Sequence, residues 1–211
     1  MVFSYIRIRC SVEEAMADGF FEEIPFAAGV TIGAAQTYED GSIGVDVQYM
    51  SSQYQVTGEE WNLVDEGGTW KLNAISPTTV AVDGDTAAVG VSLGENEDGT
   101  YFITPNASAV AAPEVLILQA TNNGAEAHEM VVLQVPEGVD PMGLLDGTVA
   151  EEDVMFIGHV GVDAPGSMAE MTLVGLPVGQ YTLVCFYPSA DGAPHAAHGM
   201  IAPFEVTAPA E

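Results

Sequence analysis

Cys185, His195, His198 and Met200 fall within one short stretch of this 211-residue chain. Tyr181, Leu183 and Cys185 alternate with Gln180, Thr182 and Val184, so a strand would turn the first three to one face. A loop bearing proline and glycine follows, carries the two histidines and ends at Met200, beyond which residues 201–207 read as another strand. A thiol, imidazoles and a thioether on one loop between two strands form a soft donor set, which suits copper. A second imidazole from elsewhere would complete the set, and His128 is the candidate.

Strands must hold these residues. Residues 88–93 and 115–120 read as strands, the second followed by the turn Thr121-Asn122-Asn123-Gly124. His128 opens a strand over 129–135. Residues 136–153 form a long connection with one helical turn near Leu144 and Leu145, and 155–160 and 168–174 are further strands. Short strands divided by glycine and proline turns predict a β-sandwich. Before them, residues 1–77 predict a short helix ending at Gly19, then strands over 30–38, 43–49, 55–64 and 69–75, with hairpin turns at Glu39-Asp40-Gly41-Ser42 and Asp65-Glu66-Gly67-Gly68. Residues 76–88 read as a linker. The chain is therefore expected to hold an α+β segment at 1–77 and a mainly β domain at 78–211.

The charge balance is extreme. Thirty-one acidic residues face Arg7, Arg9 and Lys71, a formal net charge of −28, and residues 78–211 contain no Lys or Arg. Such a surface repels nucleic acid and anionic membranes and steers cationic partners or metal ions; high-salt adaptation or simple solubility explains it equally well. Cys10 and Cys185 make no disulfide framework. No apolar run is long enough for a membrane span, and no signal-peptide pattern follows Arg7 and Arg9.

The passage from Trp61 to Leu72 (Trp61-Asn62-Leu63-Val64-Asp65-Glu66-Gly67-Gly68-Thr69-Trp70-Lys71-Leu72) resembles the closing hairpin of nuclear-transport-factor-2-like, or SnoaL-like, domains. That likeness covers about residues 27–75 and implies a partial, curved α+β sheet whose front is missing. The second half resembles the cupredoxins, the blue copper proteins of the plastocyanin and azurin family. The likeness rests on Asn122-Asn123-Gly124 ahead of His128, on Pro165-Gly166 with Gly175-Leu176-Pro177-Val178-Gly179-Gln180-Tyr181, and on the order Cys185, His195, Met200. It covers about residues 86–207.

The cupredoxin resemblance implies a Greek-key sandwich holding one copper ion on His128, Cys185 and His195, with Met200 as a weak axial ligand. His198 remains an alternative, since it could replace His195 or add a further ligand, and the nine residues between Cys185 and His195 exceed the few found in the best-known blue copper loops. The expected function is one-electron transfer with a redox partner protein bearing a basic docking surface. A copper carrier or store, or a metal-free interaction module, are the alternatives. The resemblance also implies an extracytoplasmic location, periplasmic or secreted. No metalloprotease helix, nucleophile elbow or phosphate-cradling loop is present, so an enzyme is not expected. His159 has no partner in the pattern, and the remaining methionines read as core filler.

Overall fold

The computed structural model describes residues 28–136, 138–150 and 153–209. Cys10, Arg7, Arg9 and the short helix expected before Gly19 lie outside them. Among the described residues, 28–52 with 56–81 form one compact unit and 53–55 with those from 82 onward form another.

In the first unit four strands follow one another as an antiparallel meander: β1 (Ala28–Thr37), β2 (Ile43–Met50), β3 (Gln55–Asp65) and β4 (Trp70–Pro77). Alternation sets its faces. Val45, Val47 and Leu63 are buried, with Ile43, Trp61, Trp70 and Leu72 packed around them. The β1–β2 turn closes where Tyr38 N–H reaches the Ser42 carbonyl, with Gly41 in the left-handed conformation. The hairpin expected at Trp61–Leu72 is the β3–β4 pair. The linker is shorter than expected, since β4 runs to Pro77 and the next strand starts at Thr86.

The second unit is a two-layer β-sandwich. One layer orders its strands as β11 (Met168–Val174), β8 (Val115–Asn122), β5 (Thr86–Glu95) and β6 (Tyr101–Pro105). The other runs β10 (Met155–Val162), β9 (His128–Gln134), β12 (Gly179–Val184), β13 (Ile201–Thr207) and β7 (Ala109–Ala111). Pairing is antiparallel except for β5 with β8 and β13 with β7. Strands β6 and β7 were not expected: their short, proline-flanked segments carry too little alternation to read as strands alone, and they form on the edges of sheets that longer strands have established.

The core lies between the layers. Val89, Val91 and Leu93 of β5 and Leu116, Leu118 and Ala120 of β8 face Met130 and Val132 of β9, Tyr181 and Leu183 of β12, and Phe204 and Val206 of β13. Each set recurs at every second residue, as a strand with one face inward requires. Burying each of the valine, leucine, methionine and phenylalanine side chains stabilises the fold by about 1.5–3 kcal/mol. The Tyr181 hydroxyl stays satisfied by donating to the Pro177 carbonyl at 2.7 Å. Strands β9 and β12 are buried on both faces, because the helical turn α1 (Gly143–Asp146) lays Leu144 and Leu145 over Val131, Leu133 and Val184. Met130 and Met171 are core residues, whereas Met168 is 69% exposed and fills no core.

Candidate metal centre

The inward-facing residues of four strands meet at one end of this core. His128 opens β9 in phase with Met130 and Val132, and Cys185 follows β12 in phase with Leu183 and Tyr181. Neither position leaves the side chain any exposed surface. The loop before His128 is held by Asn122, itself fully buried. Its amide donates to the Glu126 and Val162 carbonyls at 2.7 and 2.9 Å and accepts from Gly124 N–H.

The long segment between Cys185 and His195 folds back on itself. Pro188 and Pro194 bridge, Ser189 and Ala193 pair, and the exposed Asp191 caps the turn by accepting from Ser189 Oγ and Ala193 N–H. The Ser189 hydroxyl above all, then Ala193 and His198, hold the Asp191 carboxyl down at about 2. The chain then returns: His195 N–H donates to the Tyr187 carbonyl and Ala196 N–H to that of Cys185. A single 3-10 turn, His195–His198, follows and ends at Gly199, whose φ is +106°. Met200 N–H binds the His195 carbonyl and its own carbonyl accepts from Cys185 N–H, so its backbone ties the two candidate ligands together. The Met200 side chain is fully buried.

This folding brings three donors together. His128 Nδ1 lies 3.2 Å from His195 Nδ1, and Cys185 Sγ lies 3.5 Å from the same atom. One donor atom from each residue falls within 4.8 Å of the others. Bonds of about 2.0 Å to nitrogen and about 2.3 Å to sulfur at tetrahedral angles place two nitrogens about 3.3 Å apart and nitrogen and sulfur about 3.5 Å apart. The two separations measured from His195 Nδ1 match those of a shared ion. His198 is not part of the group: its ring is partly exposed and its Nε2 faces Asp191 at 3.2 Å. His159 is 43% exposed on its side chain and pairs with Glu129 at 2.9 Å.

The surroundings are specific to each donor. Two backbone N–H groups, from Glu129 at 3.5 Å and from Tyr187, reach the Cys185 sulfur. Burial nevertheless pushes that thiol up to about 11, with those two bonds opposing and the Glu129 charge adding to the rise. Glu129 itself points to the other face, where its carboxylate accepts from Phe186 N–H and meets His159. Burial, then the neighbouring His128, holds His195 below the ordinary imidazole range. Its ring stacks on Tyr101, centroids 4.1 Å apart and planes 21° from parallel. The outer Nε2 of His195 is buried and 3.5 Å from Glu126 Oε2, too long for a full hydrogen bond. His128 Nε2, by contrast, is 3.0 Å from Glu95 Oε2.

Glu95, Tyr101, Glu126 and Glu129 were not anticipated as parts of this centre. Glu95 shares the parity of Val89, Val91 and Leu93, and Tyr101 shares that of Ile103. That two-residue phase was the available signal. Glu126 and Glu129 carried none.

No protein-family model matches the chain, and no curated protein matches it. Among solved structures, it is similar to reduced auracyanin from Roseiflexus castenholzii (20% identity, 58% of this chain and 97% of that one, TM-score 0.40). It is also similar to auracyanin A, a "blue" copper protein from Chloroflexus aurantiacus (16% identity, 57% and 100%, TM-score 0.37). A third similar structure is a multicopper oxidase from Aquifex aeolicus (16% identity, 79% and 41%, TM-score 0.38). The likeness of residues 27–75 to nuclear-transport-factor-2-like domains finds no support among these. At such identities and TM-scores, what the chain does rests on its own donor atoms.

Proposed function

We propose that residues 78–211 hold one copper ion on His128, Cys185 and His195, with Met200 as a weak fourth ligand, and that the protein transfers single electrons. The observation that carries this reading is the convergence of one thiol sulfur and two imidazole Nδ1 atoms, all buried, at separations that fit one ion. A structural zinc site takes four strong donors. This group has three, beside a methionine whose backbone is bonded to two of them, and that composition favours copper. Copper bound there supplies a Cu(II)/Cu(I) couple.

The chain's own residues account for the rest. The N–H groups of Glu129 and Tyr187 disperse negative charge on the sulfur, which favours its thiolate. Donors from two separate loops, each pinned by backbone hydrogen bonds, limit rearrangement between oxidation states. Burial keeps water and substrates from the donor atoms, which supports an electron carrier over a catalyst and over a protein that surrenders its metal. Tyr101, half-buried and stacked on His195, is the contact through which the centre meets the surface. The acidic side chains near it, Glu126 and Asp191, suit a redox partner with a basic docking surface. An extracytoplasmic location belongs to the same proposal, and cell fractionation tests it. Among the described residues no helix is long and apolar enough to cross a membrane.

Voltammetry of the copper-loaded protein tests the function. A reversible one-electron couple is expected; tight copper binding without one would make the protein a carrier or store.

A further inference from the structure

Glu95 ends β5 on the core-facing side, where a carboxylate is out of place unless it has partners. It has several. Its oxygens take the N–H groups of Ala125 and Glu126 and face His128 Nε2 at 3.0 Å. The loop above is shaped to admit it: a Cβ on Gly124 would overlap the carboxylate, lying 2.7 Å from Glu95 Cδ. Gly124 is not in the left-handed region, so the space for Glu95, rather than backbone conformation, is what glycine provides here. The second imidazole lacks an equivalent, since Glu126 stands 3.5 Å from His195 Nε2 and shares its oxygens with the Tyr101 hydroxyl.

We infer that Glu95 is a positioning residue for the metal centre. Its carboxylate accepts the Nε2–H of His128, which fixes the tautomer whose Nδ1 lone pair faces Cys185 and His195, and it places a negative charge behind that ring which favours the more highly charged metal. The inference rests on the copper reading for its effect on the metal, but the tautomer belongs to the metal-free protein as well. Outer partners of ligating histidines typically contribute about 10–100-fold in metal affinity.

The test compares Glu95→Gln, which keeps an acceptor oxygen but removes the charge, with Gly124→Ala, which keeps the charge but displaces the carboxylate. Glu97→Gln, an exposed acid two residues along, controls for charge alone. Both test variants are expected to weaken Cu(II) binding by about 10–100-fold and to move the reduction potential upward, with Cu(I) affinity changed less; Glu97→Gln should do neither. Imidazole ¹⁵N spectra of the metal-free wild type should show His128 protonated at Nε2, and Gly124→Ala should loosen that preference. Unchanged potential and affinity in folded Glu95→Gln and Gly124→Ala would overturn the inference while leaving the copper reading intact. If the wild type binds no copper, that reading fails, and a His128 protonated at Nδ1 in the same spectra would overturn the role of Glu95 independently.

Discussion

Copper binding should release one proton per ion from the thiol, and the affinity should follow pH accordingly. Cys185 has no exposed surface, and burial pushes its thiol up to about 11. At pH 8, about three units lower, the metal-free protein holds the proton, and the thiolate must form for the sulfur to ligate. Displacing that proton lowers the apparent affinity by about 4 kcal/mol at pH 8. The sign is fixed: raising the pH strengthens binding, tenfold per unit, until the slope flattens near pH 11. His195 adds nothing in this range, because burial and His128 hold it below the ordinary imidazole value, so it is already neutral. The assay is competition against a chelator of known proton affinity between pH 8 and 10, with proton release followed by an indicator dye. One proton per ion and a slope of one are expected, and Cys185→Ser should flatten the slope. A slope near zero in the wild type would mean the thiolate already exists, and a slope of two would mean a second proton leaves the site; either refutes this account of the thiol.

Removing either His128 or His195 as alanine should weaken copper binding by about a hundredfold or more, whereas His198→Ala, whose ring lies beside Asp191 and Tyr101 and outside the donor group, should change it by less than about threefold. A larger loss in His198→Ala than in His195→Ala, by equilibrium dialysis, would reverse the ligand assignment. Met200→Leu should shift the reduction potential while copper stoichiometry stays at one; an unchanged potential would remove Met200 from the ligand set. Asn122→Ala deletes three hydrogen bonds of a fully buried side chain that hold the loop before His128 and should cost about 2–4 kcal/mol in urea unfolding, with a loss under about 1 kcal/mol counting against that role. Gly199→Ala must place a side chain at a φ of +106° and 3.1 Å from the Tyr101 carbonyl, so a loss of about 1–3 kcal/mol is expected in the same experiment, and none would contradict it.

Most strands of the sandwich were legible because alternation of apolar residues survives in the sequence wherever a strand buries one face. That rule placed His128 at the head of β9 and Cys185 just past the end of β12. It also explains why His195 and His198 stayed open: the segment 186–194 is closed by irregular hydrogen bonds, Ser189 with Asp191 and Ala193, His195 with Tyr187, and no periodicity reports such a closure. Glu95 was hidden differently. Among 31 acids it looked like one more surface charge, and only its phase with Leu93 separates it from Glu97 and Asp98. Strands β6 and β7 were missed because edge strands this short draw their stability from neighbours rather than from their own pattern.

The most direct measurement is visible absorption and EPR of the purified protein with one equivalent of Cu(II), beside Cys185→Ser. A site of His128, Cys185 and His195 predicts one ion per chain, an intense thiolate-to-copper band and narrow copper hyperfine splitting, with the band gone in Cys185→Ser. Weak colour with ordinary splitting, spectra unaltered by Cys185→Ser, or no binding would contradict it.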